Sequence, residues 1–155
     1  MKFCETKKVL NQLVADLSVF SVRIHQVHWY MRGGRFLTLH PKMDDLMEQI
    51  NDQLDVISER LITLDGSPYS TLEEFFINSK LKEEKGSWNK TIDEQISYLL
   101  EGYSYLISIY EEGIEIAGKE GDNCTEDILI GSKSELEKEI WMLKAELGNP
   151  ADLDK

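Results

Sequence analysis

The chain has 155 residues, 41% hydrophobic and 30% charged, which fits one domain over residues 1–155 with a core of its own and excludes a disordered protein. Its 29 acidic against 17 basic residues leave a formal charge of −12, which repels phosphate backbones and gathers cations, although acidity by itself also serves solubility. Cys4 and Cys124 form no CxxC pair, the start at Met1 to Lys8 has no apolar signal run, and the greasy stretch Ile96 to Ile116 is broken by Glu101, Glu111, Glu112 and Glu115, so a reduced cytoplasmic protein without a membrane span is expected.

Leu10, Leu13, Leu17, Phe20, Ile24, Val27 and Met31 step by three and four, the seam of a packed first helix that Gly33-Gly34 ends. A second helix is expected from Thr38 as cap, with Pro41 in its first turn and a seam of Leu39, Met43, Leu46, Ile50, Ile57, Leu61 and Leu64. Asp65-Gly66-Ser67-Pro68 stops it. In the long connection to Trp88, Ser70-Thr71-Leu72-Glu73 reads as a capping box opening a short helix. Thr91-Ile92-Asp93-Glu94 is another capping box, opening a helix that runs to about Gly118. The last helix follows Asp122-Asn123 and ends at Gly148-Asn149-Pro150. A tight first turn makes the first two helices antiparallel neighbours. The long connection then crosses the bundle, so the fold class is an all-α four-helix bundle with one long crossover carrying a short helix, the layout of ferritin-like folds.

All three histidines, His25, His28 and His40, come early. On the second helix His40 and Asp44 are one turn apart, as are Asp55 and Glu59, so each pair points one way. The helical rise separates Asp44 from Asp55 by roughly 16 Å, so one chain cannot bring both to one ion. This stripe lies roughly 140° around the helix from the apolar seam, facing solvent or another subunit. Both Asp44/Asp55 and His40/Glu59 are centred between Gln49 and Ile50. Two antiparallel copies of the helix, related by a two-fold axis at that point, would therefore bring opposite half-sites together twice per dimer. His28 precedes the Gly33-Gly34 turn about as His40 follows it, so antiparallel packing places both imidazoles at one end. A site of His28, His40 and Asp44 with the partner's Asp55 and Glu59 suits iron and would also accept zinc or manganese. Anionic oxygen ligands favour ferric over ferrous ion, which makes it a ferroxidase design. No Glu-x-x-His motif is present, so a di-iron centre inside one bundle is not expected.

The run His28-Trp29-Tyr30-Met31-Arg32-Gly33, Phe36, Leu39-His40, Asp44, Asp55-Val56-Ile57-Ser58-Glu59-Arg60 and Gly66-Ser67-Pro68, with Ile140-Trp141-Met142-Leu143 near the end, closely resembles the Dps family of mini-ferritins, named as DNA-binding proteins from starved cells. The likeness covers nearly the whole chain. It implies a hollow homododecamer with iron sites at two-fold interfaces, ferrous ion oxidised preferentially by hydrogen peroxide, ferric mineral stored inside, and protection against oxidative stress. His28, His40, Asp44, Asp55 and Glu59 match the family's metal ligands. Trp29 matches an aromatic beside the site that would pass electrons or absorb radicals, or simply pack at the dimer contact.

Asp122, Glu126 and Asp127 fall where such shells have negatively lined pores, yet acids there also suit a helix N-terminus. Asp45 and Glu48 are weaker candidates for seeding mineral on the cavity face. Glu139 stands where many members of that family carry a histidine. The termini offer Lys2, Lys7 and Lys8 against Glu5, and Asp152 and Asp154 against Lys155, too little positive charge for binding by counterion release. No DNA binding is expected at physiological salt, and retardation of supercoiled plasmid at moderate salt would refute this. The competing reading is a metal-binding shell that holds zinc or manganese without turnover.

Overall fold

The computed structural model describes residues 2–154. Lys155, counted above in the C-terminal charge, lies outside them. The described residues form five helices and no strand: α1 (Cys4–Tyr30), α2 (Phe36–Thr63), α3 (Leu72–Asn78), α4 (Ile92–Glu120) and α5 (Asn123–Glu146). α1, α2, α4 and α5 make the bundle. Every residue of the expected α1 seam is buried, and so is the α2 seam except Leu64, which is partly covered. α1 and α4 approach closely at Gly102, where an added Cβ would sit 2.4 Å from Phe20 Cε2, and the Phe20 ring meets Tyr103 edge-on at 4.7 Å. The buried Gln53 is satisfied from two helices: its amide donates to the Ser132 carbonyl and Glu135, and its oxygen accepts from the Tyr110 hydroxyl at 2.7 Å.

Two boundaries differ from the sequence reading. α2 begins at Phe36, two residues before the expected Thr38 cap, with the first bonds running back to Gly33 and Arg35. Pro41 therefore lies inside the helix rather than in its first turn, and deprives the Leu37 carbonyl of its helical donor. Leu37 is 86% exposed, so the missing bond falls at the surface rather than in the core. The box opening α3 is shifted by one residue: Thr71 Oγ1 accepts from Glu74 N at 3.1 Å, and the Glu74 carboxylate accepts from the backbone of Ser70 and Thr71. The α4 box at Thr91 and Glu94 is as expected, and the helix runs on to Glu120.

The crossover is held by a polar ladder along α1. Asn11 bonds Ser67 and Tyr69, Gln12 bonds Asn78, and the buried Asp16 accepts from Ser79 Oγ and Lys80 N while also taking the Tyr105 hydroxyl. Arg23 donates to the Lys82 carbonyl and Gln26 to that of Glu84. These contacts advance along both segments together, so the crossover runs parallel to α1 from its middle to its end. At the opposite pole α1 has no side-chain cap of its own, and Glu120 from the end of α4 accepts from Glu5 N and Thr6 N instead.

Candidate metal centre

The chain reverses between α1 and α2 through an extended Met31 and a Gly33 with φ of 146°, a conformation that disfavours any side chain. The last turn of α1 is thereby set against the second turn of α2, and His28 and His40 meet with ring centroids 3.8 Å apart and planes within 8°. Each Nδ1 bonds the other residue's backbone carbonyl, His28 Nδ1 to His40 O at 2.9 Å and His40 Nδ1 to His28 O at 3.0 Å. A carbonyl only accepts, so both Nδ1 atoms carry the proton and both Nε2 atoms turn a lone pair outward in the neutral rings. The His28 carbonyl is available for this because it belongs to the last turn of α1, where helical donors run out.

His28 Nε2 lies 3.6 Å from Asp44 Oδ1. An imidazole lone pair facing a carboxylate at that range is unfavourable on its own, and a cation between them relieves it. The structure thus sets His28 against His40 on one side and against Asp44 on the other. Asp55 and Glu59 lie exposed further along the same helix and do not join them within the chain. Among the described residues no group of three or more His, Cys, Asp or Glu is placed to hold a metal ion. Trp29 is 63% exposed, and its ring contact is with His25, 5.2 Å away between centroids.

Phe36 was not a site candidate by sequence. Its ring stacks on the other face of His40, at 4.6 Å and 28°. The four-residue spacing to His40 is the signal that could have found it.

Of the three candidate pore acids, Asp122 is almost fully buried and committed within the chain. It caps α5 by accepting from Thr125 N at 3.2 Å and pairs with Arg60 at 2.7 Å. Burial pushes its carboxyl up, but the Thr125 hydrogen bonds and the Arg60 guanidinium outweigh this and hold it below the usual carboxylate range. A group lowered by folding stabilises the native state above its ordinary value of 3.8 and loses that contribution as the pH falls through the lowered one. Asp122→Asn is expected to lower thermal stability at neutral pH and to flatten its decline below pH 4, measured as Tm against pH. Asp45 and Glu48 line a groove between α2 and α5 with Asp52, Glu135 and Glu139, and Glu139 is paired with Lys42 at 3.1 Å.

The ferritin-like domain family matches residues 7–152. A DNA protection during starvation protein of Streptococcus suis (strain P1/7) is 52% identical over 149 residues, covering 96% of this chain and 87% of that protein. The chain belongs to the Dps family of ferritin-like proteins. The X-ray structure of Dps from Listeria monocytogenes matches this Dps-family chain with a TM-score of 0.92 at 48% identity, covering 94% of this chain and 95% of that one. A Listeria innocua Dps soaked with cobalt matches with a TM-score of 0.93 at 46% identity, over 97% and 99% of the two chains. The all-α bundle read from the sequence is therefore the Dps fold, and iron storage and protection are the general role of this family.

Proposed function

We propose that this protein is a ferroxidase and iron store of the cytoplasm, oxidising ferrous ion with hydrogen peroxide at sites shared by two protomers and keeping the ferric product inside a shell of twelve. The observation that carries the reading is the pair of stacked, tautomer-locked imidazoles, with the His28 Nε2 3.6 Å from Asp44 Oδ1 and with Asp55 and Glu59 exposed at mirrored positions on the same helix. Family membership supports it.

In the neutral rings Nε2 carries the lone pair, so it is the atom that would bind ferrous ion. The carboxylates of Asp44, the partner's Asp55 and the partner's Glu59 add negative charge, which stabilises the ferric state more than the ferrous and so drives electron loss. Each peroxide takes one electron from each of two ferrous ions together with two protons; its O–O bond breaks and two waters leave. Because both electrons are delivered, no hydroxyl radical is released. Trp29, exposed one residue beyond His28, would supply an electron when only one iron is present.

Zinc and manganese fit the same ligands and would compete with iron. The few lysines of the termini and the net charge of −12 leave DNA unbound at physiological salt. The test mixes metal-free protein with ferrous ion and peroxide without oxygen. Oxidation well above the buffer rate with no spin-trapped hydroxyl radical is expected, and a rate equal to buffer would instead indicate metal holding without turnover.

A further inference from the structure

We infer that Phe36 is a positioning residue that holds the His40 imidazole for metal loading, a role that rests on the site proposed above. Phe36 opens α2, and His40 follows one turn later, so the two rings are brought face to face by the helix itself. With His28 stacked on the opposite face, His40 is the middle ring of three. Its edge is fixed as well, since Nδ1 donates to the His28 carbonyl at 3.0 Å. Only the Nε2 edge is open.

The two neighbours of His40 respond differently to a cation. A metal on Nε2 draws electron density from the imidazole and makes the ring partly cationic. The π face of Phe36 attracts such a ring, because its quadrupole is negative above the plane. His28 gives no such attraction, since it takes up positive charge itself when loaded. Phe36 therefore favours the loaded over the free form of His40, and it prevents the ring from swinging away from its carbonyl anchor. A leucine or methionine at this place would fill the volume and still hinder the swing, but would supply no such attraction.

The experiment measures Zn(II) binding to the metal-free, assembled protein by calorimetry. Phe36→Leu is expected to weaken binding roughly tenfold, within the span of desolvated cation–π contacts, while Phe36→Tyr and Phe36→Trp bind as the wild type does. Ferrous oxidation should follow the same split, with KM raised in Phe36→Leu and kcat at saturating iron near wild type. If Phe36→Leu does not assemble, Phe36→Met takes its place. Unchanged affinity in the aliphatic variant, or an equal loss in Phe36→Leu and Phe36→Trp, would overturn the inference. His40→Ala separates the two levels. If it binds Zn(II) as tightly as wild type, the proposed site itself is wrong; if it loses binding while Phe36→Leu keeps it, only the stacking role falls.

Discussion

Replacing Asp55 and Glu59 together by alanine is expected to slow peroxide-driven oxidation of ferrous ion by roughly 10²-fold or more, since even groups that merely orient metal ligands are worth 10–100-fold. Both side chains are exposed in the isolated chain, so α2 and its core face lose nothing when they are removed. The metal-free variant should therefore keep the far-UV spectrum and the Tm of the wild type. A fast phase of wild-type amplitude in stopped-flow mixing would mean that the acids of this stripe do not touch iron. His28 and His40 give a less clean test, because each ring also holds the other's backbone and with it the turn between α1 and α2. Their removal would confuse loss of ligand with loss of geometry.

Phe20→Ala is expected to cost about 3–5 kcal/mol of stability, the usual range for a large aromatic removed from a closed core. Phe20 is fully buried, its ring lies against Tyr103, and it fills the gap left by the missing side chain of Gly102. The surrounding helices are fixed by other contacts and can close the void only in part. Urea unfolding at a fixed protein concentration measures the loss, the concentration being held because assembly adds to apparent stability. A change under about 1 kcal/mol would show that α1 and α4 collapse onto each other more freely than their packing indicates.

The core was legible because α1 and α2 write it at three- and four-residue steps, and a bundle buries such stripes wherever its helices are placed. Caps were legible where one residue alone fitted. At Thr91 only one box was possible, whereas Ser70-Thr71-Leu72-Glu73-Glu74 spells two overlapping ones, and the backbone chose Thr71 with Glu74. The start of α2 was misread because Thr38 looks like a cap, while the helix grows from the Gly33 turn before it. Nothing periodic announced the course of the crossover, since Asn11, Gln12, Asp16, Arg23 and Gln26 hold backbone groups rather than side chains of a matching pattern.

The direction of the His40, Asp44, Asp55 and Glu59 stripe could be read from spacing because a helix converts residue number into direction. The exposure of its three acids and the contacts of His28 with His40 and with Asp44 agree with that direction. The reciprocal carbonyl bonds that select the tautomer could not be read, because they depend on two backbone oxygens meeting across a turn. The burial of Asp122 was equally hidden. Its partner Arg60 is distant in sequence, and only the antiparallel return of the chain places the end of α2 beside the start of α5.

Sharing of ligands between protomers is tested most directly by mixing two inactive variants. One carries His28→Ala and His40→Ala, the other Asp55→Ala and Glu59→Ala, and the two are co-assembled in equal amounts from unfolded chains. If imidazoles and acids come from opposite protomers of a two-fold pair, a site is whole whenever a chain with intact histidines faces a chain with intact acids, so about a quarter of the sites should recover rapid peroxide-driven oxidation of ferrous ion. A mixture as inactive as either variant alone, with co-assembly verified by mass spectrometry, would contradict the shared site.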